Sequence, residues 1–188
     1  MFIHLNIHSV YSCMRGLIPL NDLIKLSKYN RMDTLALTDI NGMWGFIKFV
    51  QHCKDNNIFP IAGTNLITDK DDVILLVENQ FGYENICRLI SAVHKNPRVQ
   101  LKDILRLYSS GIFILSHKES TLLALKKIIP DTHLFVELRP GLEEKNIHEL
   151  AKKLKLEVVV TGDVYFNSKY DYKSYLILHA ISNNIKLD

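Results

Sequence analysis

Strand-length apolar runs that alternate with helix-length amphipathic segments constrain this chain more than any other feature. Residues 34 to 37 form one such run and deliver Asp39 to its C-terminal end. Gly42 and Gly45 loosen the turn that follows, and Phe46, Ile47, Phe49 and Val50 give residues 43–56 the apolar side of a helix. A second run over residues 58–62, with room to continue to Ile67, delivers Asn65 to its own end. In parallel β/α architectures, polar residues at strand C-termini are where chemistry sits.

The alternation extends along the chain. Phe2, Ile3, Leu5 and Ile7, with His4, Asn6 and His8 between them, predict a strand over 2–7. Pro19 suits the first turn of a helix, and Leu20, Leu23, Ile24 and Ser27 recur at helical spacing over 20–29. Another strand is expected over 73–77. The turn Asp69 to Asp72 before it is too short for a parallel crossover, which makes an antiparallel excursion of that pair. A helix then runs to His94, where Pro97 follows, with a short helix over 101–107 and a strand over 112–115. The helix over 119–129 stops at Pro130. A strand over 133–138, a helix over 143–154, a strand over 157–160 and a last helix over 170–183 complete the series. The expected class is α/β with a largely parallel sheet, and periodicity does not choose between a closed seven-stranded barrel and an open sheet.

Length and composition narrow the class further. With 188 residues, 47% hydrophobic and 23% charged, the expectation is a single domain over 1–188 whose core needs no disulfide staple. A net charge of +3 without a dense Lys/Arg cluster permits nucleic-acid contact without arguing for it. Cys13, Cys53 and Cys87 have no CxxC spacing and fit reduced thiols in a cytoplasmic protein. The sequence predicts neither a signal peptide nor a membrane span.

The residues at the expected strand ends are His8, Asp39, Asn65, His117, Pro140 and Asp163. Any one of them is an ordinary loop anchor or helix cap; in succession they would converge on the mouth of a closed sheet. Trp44 and Phe46 would suit stacking on bases, but their spacing fits packing of the helix on the sheet. Neither a phosphate-cradling glycine loop nor a serine nucleophile elbow is present.

Several stretches together resemble a known family. They are His4-Leu5-Asn6-Ile7-His8-Ser9, Leu35-Ala36-Leu37-Thr38-Asp39 with Gly42 and Gly45, and Pro60-Ile61-Ala62-Gly63. To these add Gly82-Tyr83-x-Asn85-x-Cys87-Arg88-Leu89, Phe135-Val136-Glu137-Leu138 and Thr161-Gly162-Asp163-Val164-Tyr165-Phe166. The chain resembles the PHP domain (polymerase and histidinol phosphatase), more narrowly the PHP domain that opens the alpha subunit of bacterial DNA polymerase III. The resemblance implies a distorted seven-stranded, TIM-like β/α barrel with a divalent-metal cluster in its mouth. Active members use that cluster for phosphoester hydrolysis, and some polymerases use it as a 3′–5′ exonuclease.

Measured against that pattern, the vestigial metal-site positions are Asn6, His8, Arg15, Asp39, Ile40, Asn65, His94, His117, Asp163 and Tyr165. Asn6 stands where the family has the first histidine of His-x-His, and Arg15 stands in place of an aspartate. Ile40 replaces the histidine of Thr-Asp-His, Asn65 a glutamate, and Tyr165 the histidine after Asp163. These losses predict a site without metal chemistry, no cofactor and no confident catalytic residue. The alternative is a metal-dependent phosphoesterase or 3′–5′ exonuclease that keeps zinc, manganese or magnesium on His8, Asp39 and Asp163. The resemblance implies polymerase domains of the same or another chain as partners and, in some members, a proofreading subunit. DNA contact would be indirect or weak, and no membrane is involved. A free-standing binding module is a third reading.

Overall fold

Six strands pair in chain order into one sheet: β1 (Thr34–Leu37), β2 (Phe59–Ile67), β3 (Asp72–Val77), β4 (Ile112–Ser116), β5 (Leu134–Leu138) and β6 (Val158–Val160). They come from a computed structural model that describes residues 2–186; Met1, Leu187 and Asp188, at the ends of the expected 1–188 domain, lie outside the described residues. The helices are α1 (Leu20–Tyr29), α2 (Phe46–Asp55), α3 (Gln80–Lys95), α4 (Leu101–Tyr108), α5 (Glu119–Leu125), α6 (Glu144–Leu154) and α7 (Tyr172–Asn183). β1 and β2 are parallel, as are β4, β5 and β6. β3 is antiparallel to both its neighbours, so it alone runs against the rest. The short turn before it leaves no length for a crossover, which is the antiparallel excursion that the sequence predicts.

The seventh strand, expected over 2–7, is not a regular one. It is an extended segment joined to both ends of the sheet. The His4 carbonyl accepts from Ala36 N at 3.0 Å and the Ile7 carbonyl from Thr38 N at 2.9 Å. On its other side, His8 N donates to the Val164 carbonyl at 2.8 Å and Val164 N to the Asn6 carbonyl at 3.0 Å. Val164 lies just beyond β6, so the segment spans from the first strand to the continuation of the last. A ladder fails to form because side chains take its place. Ile7 N donates to Thr38 Oγ1 at 2.9 Å and Ser9 N to Asp39 Oδ1 at 2.7 Å. Backbone donors without a strand partner must be satisfied in some such way.

Strand periodicity sorts the core into two faces. On β3, Val73 and Leu75 pack with Ile86, Leu89 and Leu105 of the helices, while Ile74 and Leu76 join Ala36 and Leu115 on the inner face. On β5, Leu134 and Val136 face the helices and Phe135 the inner face, which sends Glu137 inward as well. A further cluster of Ile7, Ile18, Leu23, Phe49 and Cys53 seats α1 and α2. Burial pushes the Cys53 thiol up to about 12, so it behaves as a small core hydrophobe. Cys13 and Cys87 are exposed, and all three cysteines are free.

Helix ends differ from expectation by a few residues. α2 starts at Phe46 rather than at residue 43, because Gly45 is its N-cap. α5 ends at Leu125 rather than at 129, where the amides of Ile128 and Ile129 both turn back to the Leu125 carbonyl. A 3-10 turn (Lys169–Asp171) precedes α7, and the Ser168 side chain caps it. No helix among the described residues is long and apolar enough to cross a membrane.

Candidate functional site

The C-terminal ends of the parallel strands and the N-terminal end of the reversed β3 share one rim. Three carboxylates meet there around a guanidinium. Arg139, just past β5, places Nη2 3.4 Å from Asp72 Oδ2, and Nη1 3.6 Å from Asp163 Oδ2 and 4.0 Å from Glu137 Oε2. Its side chain is only 19% exposed, so these attractions are screened less than on an open surface. Burial alone would lower the Arg139 pKa, but Asp163, Glu137 and Asp72 together raise it above the ordinary arginine value. The cation is permanent.

The remaining lone pairs of those carboxylates face hydrogen-bond donors. Glu137 Oε1 accepts from Thr161 Oγ1 at 2.7 Å and from Asn6 Nδ2 at 3.2 Å. Asn6 Nδ2 also reaches Asp163 Oδ1 at 3.3 Å, and Asn6 Oδ1 accepts from Thr38 Oγ1 at 3.2 Å. Asn65 Nδ2 donates to Asp72 Oδ1 at 2.6 Å. The amides at positions 6 and 65 thus act as donors to carboxylates, a role closed to the unprotonated imidazole nitrogen and the carboxylate of the family pattern.

Two histidines border this cluster. His8 is fully buried, stacks on Tyr165 with ring centroids 4.3 Å apart, and turns Nε2 towards Asp163 Oδ1 at 3.5 Å, long for a hydrogen bond. His117 points Nδ1 at Glu137 Oε2 from 3.6 Å. Neither His8 ring nitrogen, nor His117 Nδ1, has a hydrogen-bond partner of good geometry among the described residues. Asp163 adopts a left-handed backbone with φ of 46°, a conformation aspartate tolerates better than most residues. Burial pushes the Tyr165 phenol well above its ordinary value, and the charge of Asp163 adds to the effect.

The other expected positions sit elsewhere or do other work. Asp39 gives both oxygens to the loop after the N-terminal segment, accepting from Ser9 N at 2.7 Å, Ser9 Oγ at 2.8 Å and Ser12 Oγ at 2.6 Å. Ile40 pairs with Asn65 through an isolated bridge. His94, at the end of α3, places Nε2 2.7 Å from the Asn41 carbonyl and meets Trp44 edge-on, away from the carboxylates. Arg15 makes no ion pair among the described residues; its charge is felt at Tyr175, whose pKa it lowers against a larger upward push from burial and Asp163. Trp44 departs from its expected packing role and stands 63% exposed in the loop before α2, while Phe46 packs against Phe49 and Tyr83.

Asp72, Glu137 and Arg139 are the residues that reading strand ends misses. Asp72 begins a reversed strand instead of ending a forward one, and Glu137 lies inside β5. The signal available was the short turn before β3, which places the start of that strand at the rim.

Asp163 has a consequence for acid stability. Burial opposes its ionisation, but His8 and the Arg139 charge outweigh it and hold the pKa below the ordinary 3.8. A folded value below the unfolded one stabilises the fold above the unfolded value, and that stabilisation is lost as pH falls through the folded one. Urea midpoints are therefore expected to drop on descending from about pH 5 to about pH 2, and Asp163→Asn should flatten part of that fall. An identical acid limb in the variant would remove Asp163 from this role.

Among the described residues no three His, Cys, Asp or Glu side chains are grouped as a metal ion would need. The PHP domain family pattern matches residues 4–156. The DNA polymerase III subunit alpha of Staphylococcus aureus (strain MRSA252) is 27% identical over 195 residues, which cover 100% of this chain and 17% of that protein. The corresponding subunit of Buchnera aphidicola subsp. Acyrthosiphon pisum is 30% identical, over 96% of this chain and 19% of its own length. The chain thus spans about a fifth or less of these relatives. Among solved structures, a Bacteroides vulgatus two-domain protein described as containing a predicted PHP-like metal-dependent phosphoesterase superposes with a TM-score of 0.64 at 14% identity, covering 87% of this chain and 51% of that one. An amidohydrolase from Chromobacterium violaceum, with bound sulfate and no metal, gives 0.61 at 11% identity and 87% of each chain. At these identities the structures speak for the fold alone.

Proposed function

The chain belongs to the PHP domain family, and on that premise we propose that it is a degenerate member serving as a non-catalytic structural module of a replicative DNA polymerase. Residues 1–188 act as one PHP-like domain in this reading. Its partners are polymerase domains of the same or another chain, and it works in the cytoplasm, with a proofreading subunit as a further contact and DNA touched weakly or indirectly. Similarity to DNA polymerase III alpha subunits along the whole chain supports the replicative assignment.

The observation that carries the loss of chemistry is Arg139 at the centre of the mouth. The residues present do not fit a cluster of divalent ions. The carboxylate oxygens that would bridge such ions face a guanidinium, two amides and a threonine hydroxyl. A hydrolytic centre needs free carboxylates and an open coordination position to activate water, and here the fixed cation competes for both. No cofactor is required for the proposed role.

Hydrolysis decides between this reading and a phosphoesterase or 3′–5′ exonuclease with a reduced metal set. The purified protein is incubated with a generic phosphodiester and with single-stranded DNA, with manganese or zinc added. No turnover above the protein-free blank is expected. Turnover abolished by Asp163→Asn would establish the enzyme instead.

A further inference from the structure

Trp44 is the single tryptophan of the chain, and it stands 63% exposed in the loop before α2. We propose that it is a stacking platform for the bases of a single-stranded nucleic acid, whose phosphates follow an arc of Lys48, Lys70, Lys95, Arg98 and Lys118. The proposal rests on the reading of the chain as a replicative module without chemistry. It makes the weak contact with DNA a direct one and gives it a place.

The indole is exposed but not loose. It lies against Gly42, where a methyl group would collide with indole Nε1, so the glycine provides a floor that no other residue offers. His94 meets the ring edge-on, with centroids 5.8 Å apart, and is itself fixed by Nε2 at 2.7 Å from the Asn41 carbonyl. Asn41 is clamped in turn: its Nδ2 donates to the Ile67 carbonyl at 3.0 Å, and its Oδ1 accepts from Ile67 N at 2.7 Å. A large aromatic ring held in place with most of its surface in water loses little freedom when a flat ligand lands on it. Every nucleobase has a π-face, which makes stacking on such a ring tolerant of sequence.

Charge complementarity selects the occupant. The sequence has no dense basic cluster, but the fold gathers cations from separate segments on both sides of the indole. On one side Lys48 places Nζ 6.0 Å from the centre of the Tyr11 ring, and Tyr11 packs on Gly45 next to Trp44. On the other side Lys95 follows His94 at the end of α3. Asp69 N, 3.5 Å from the Pro97 carbonyl, brings the turn before β3 alongside, and Lys118 Nζ donates to the Lys70 carbonyl at 3.0 Å. The carboxylates of that turn are engaged: Asp69 faces Arg98 Nε at 3.8 Å, and Asp71 accepts from Thr121 Oγ1 at 2.7 Å. Arg98 is 88% exposed, so its ion pair is screened and yields readily to a phosphate. In the mouth Asp72, Glu137 and Asp163 outnumber Arg139, which keeps the strand on the outer rim. A duplex, whose bases are stacked on each other, cannot use the indole.

Because Trp44 is the single tryptophan, its fluorescence reports on the site directly. The probe is an oligo(dT) strand of about 12 nucleotides, titrated into the 188-residue chain with EDTA present and about 50 mM salt. Saturable quenching is expected, and with about three phosphates engaged the affinity should fall about 10- to 20-fold at about 200 mM salt. With a labelled strand read by anisotropy, Trp44→Ala should bind about tenfold more weakly, and Trp44→Phe, which keeps a ring, should lose less. The double variant Lys95→Ala/Arg98→Ala should flatten the salt dependence while the remaining binding still quenches Trp44. Melting curves matching wild type show that these surface variants are folded. The proposal is overturned if the strand leaves Trp44 unquenched, if folded Trp44→Ala binds as well as wild type, or if a duplex of the same length binds equally tightly. It also falls if Trp44 ignores the strand but shifts its emission when a polymerase alpha subunit is added, which would make the face a protein contact. EDTA keeps binding separate from hydrolysis, so a strand shortened in the metal-supplemented assay sinks the non-catalytic reading and leaves the quenching to be judged by itself.

Discussion

Asp39→Ala is expected to destabilise the fold by about 4 kcal/mol. Asp39 is 1% exposed, and a lone buried carboxylate would cost several kcal/mol. It is tolerated because charge-assisted hydrogen bonds surround it: Ser9 N at 2.7 Å, Ser9 Oγ at 2.8 Å and Ser12 Oγ at 2.6 Å. Ser12 Oγ in turn accepts from Ile40 N at 3.1 Å, and Ser9 Oγ from Tyr11 N at 3.2 Å, so the carboxylate anchors a whole loop. Alanine would strand the Ser9 amide and both hydroxyls in the interior, each at a cost of about 1 to 3 kcal/mol. Relief of the carboxylate's own desolvation offsets part of this. Asp39→Asn keeps one acceptor oxygen and should lose roughly half as much. For a chain of this length the alanine variant should melt about 8 to 16 °C lower. A drop of under about 2 °C would mean that the loop is held by something else.

This role for Asp39 separates what the sequence made legible from what it did not. Strand and helix positions follow from local periodicity, and so does the reversal of β3, because turn length is a local property. The N-terminal segment reads as a strand from its alternation, but its ladder is interrupted by Thr38 and Asp39, whose side chains capture the backbone amides of Ile7 and Ser9. Such competition depends on a neighbour about 30 positions away, and no window on 2–7 contains it. The rim was legible as a place where His8, His117 and Asp163 gather. Its charge balance was not. Arg139 matches no metal-ligand pattern, because a guanidinium offers donors and no lone pair to a metal. Arg15, the arginine at a vestigial metal-site position, acts on Tyr175 instead. Asp72 and Glu137 are invisible to a search of strand C-termini for the geometric reasons of reversal and inward alternation.

Gly82→Ala carries the second large expectation, a loss of about 3 kcal/mol, and it concerns one of the stretches that carry the family resemblance. On an isolated helix the same change would gain up to about 1 kcal/mol, since alanine is the better helix former. The sign therefore reports on packing. Gly82 lies in the first turn of α3, where its amide donates to the capping Asn79 side chain at 3.1 Å. A methyl group on it would overlap the Gly111 carbonyl, which is backbone and has no rotamer to escape into. Gly111 itself has φ of 72°, and its carbonyl already accepts from Glu78 N at 2.9 Å. The rest of the stretch reinforces the contact. Asn85 Nδ2 donates to the Ser110 carbonyl at 3.0 Å, Arg88 holds Asn85 Oδ1 at 2.9 Å, and the Arg88 guanidinium lies 5.8 Å from the centre of the Tyr108 ring. The Gly-Tyr-x-Asn-x-Cys-Arg-Leu pattern thus fastens α3 to the turn that launches β4. To admit the methyl group, α3 must move off that turn, which loosens the buried Ile86 and Leu89. Chemical denaturation of the variant checks this. A midpoint shift to lower urea with an unchanged slope is expected, whereas equal or greater stability would show that the close approach of helix and turn is slack.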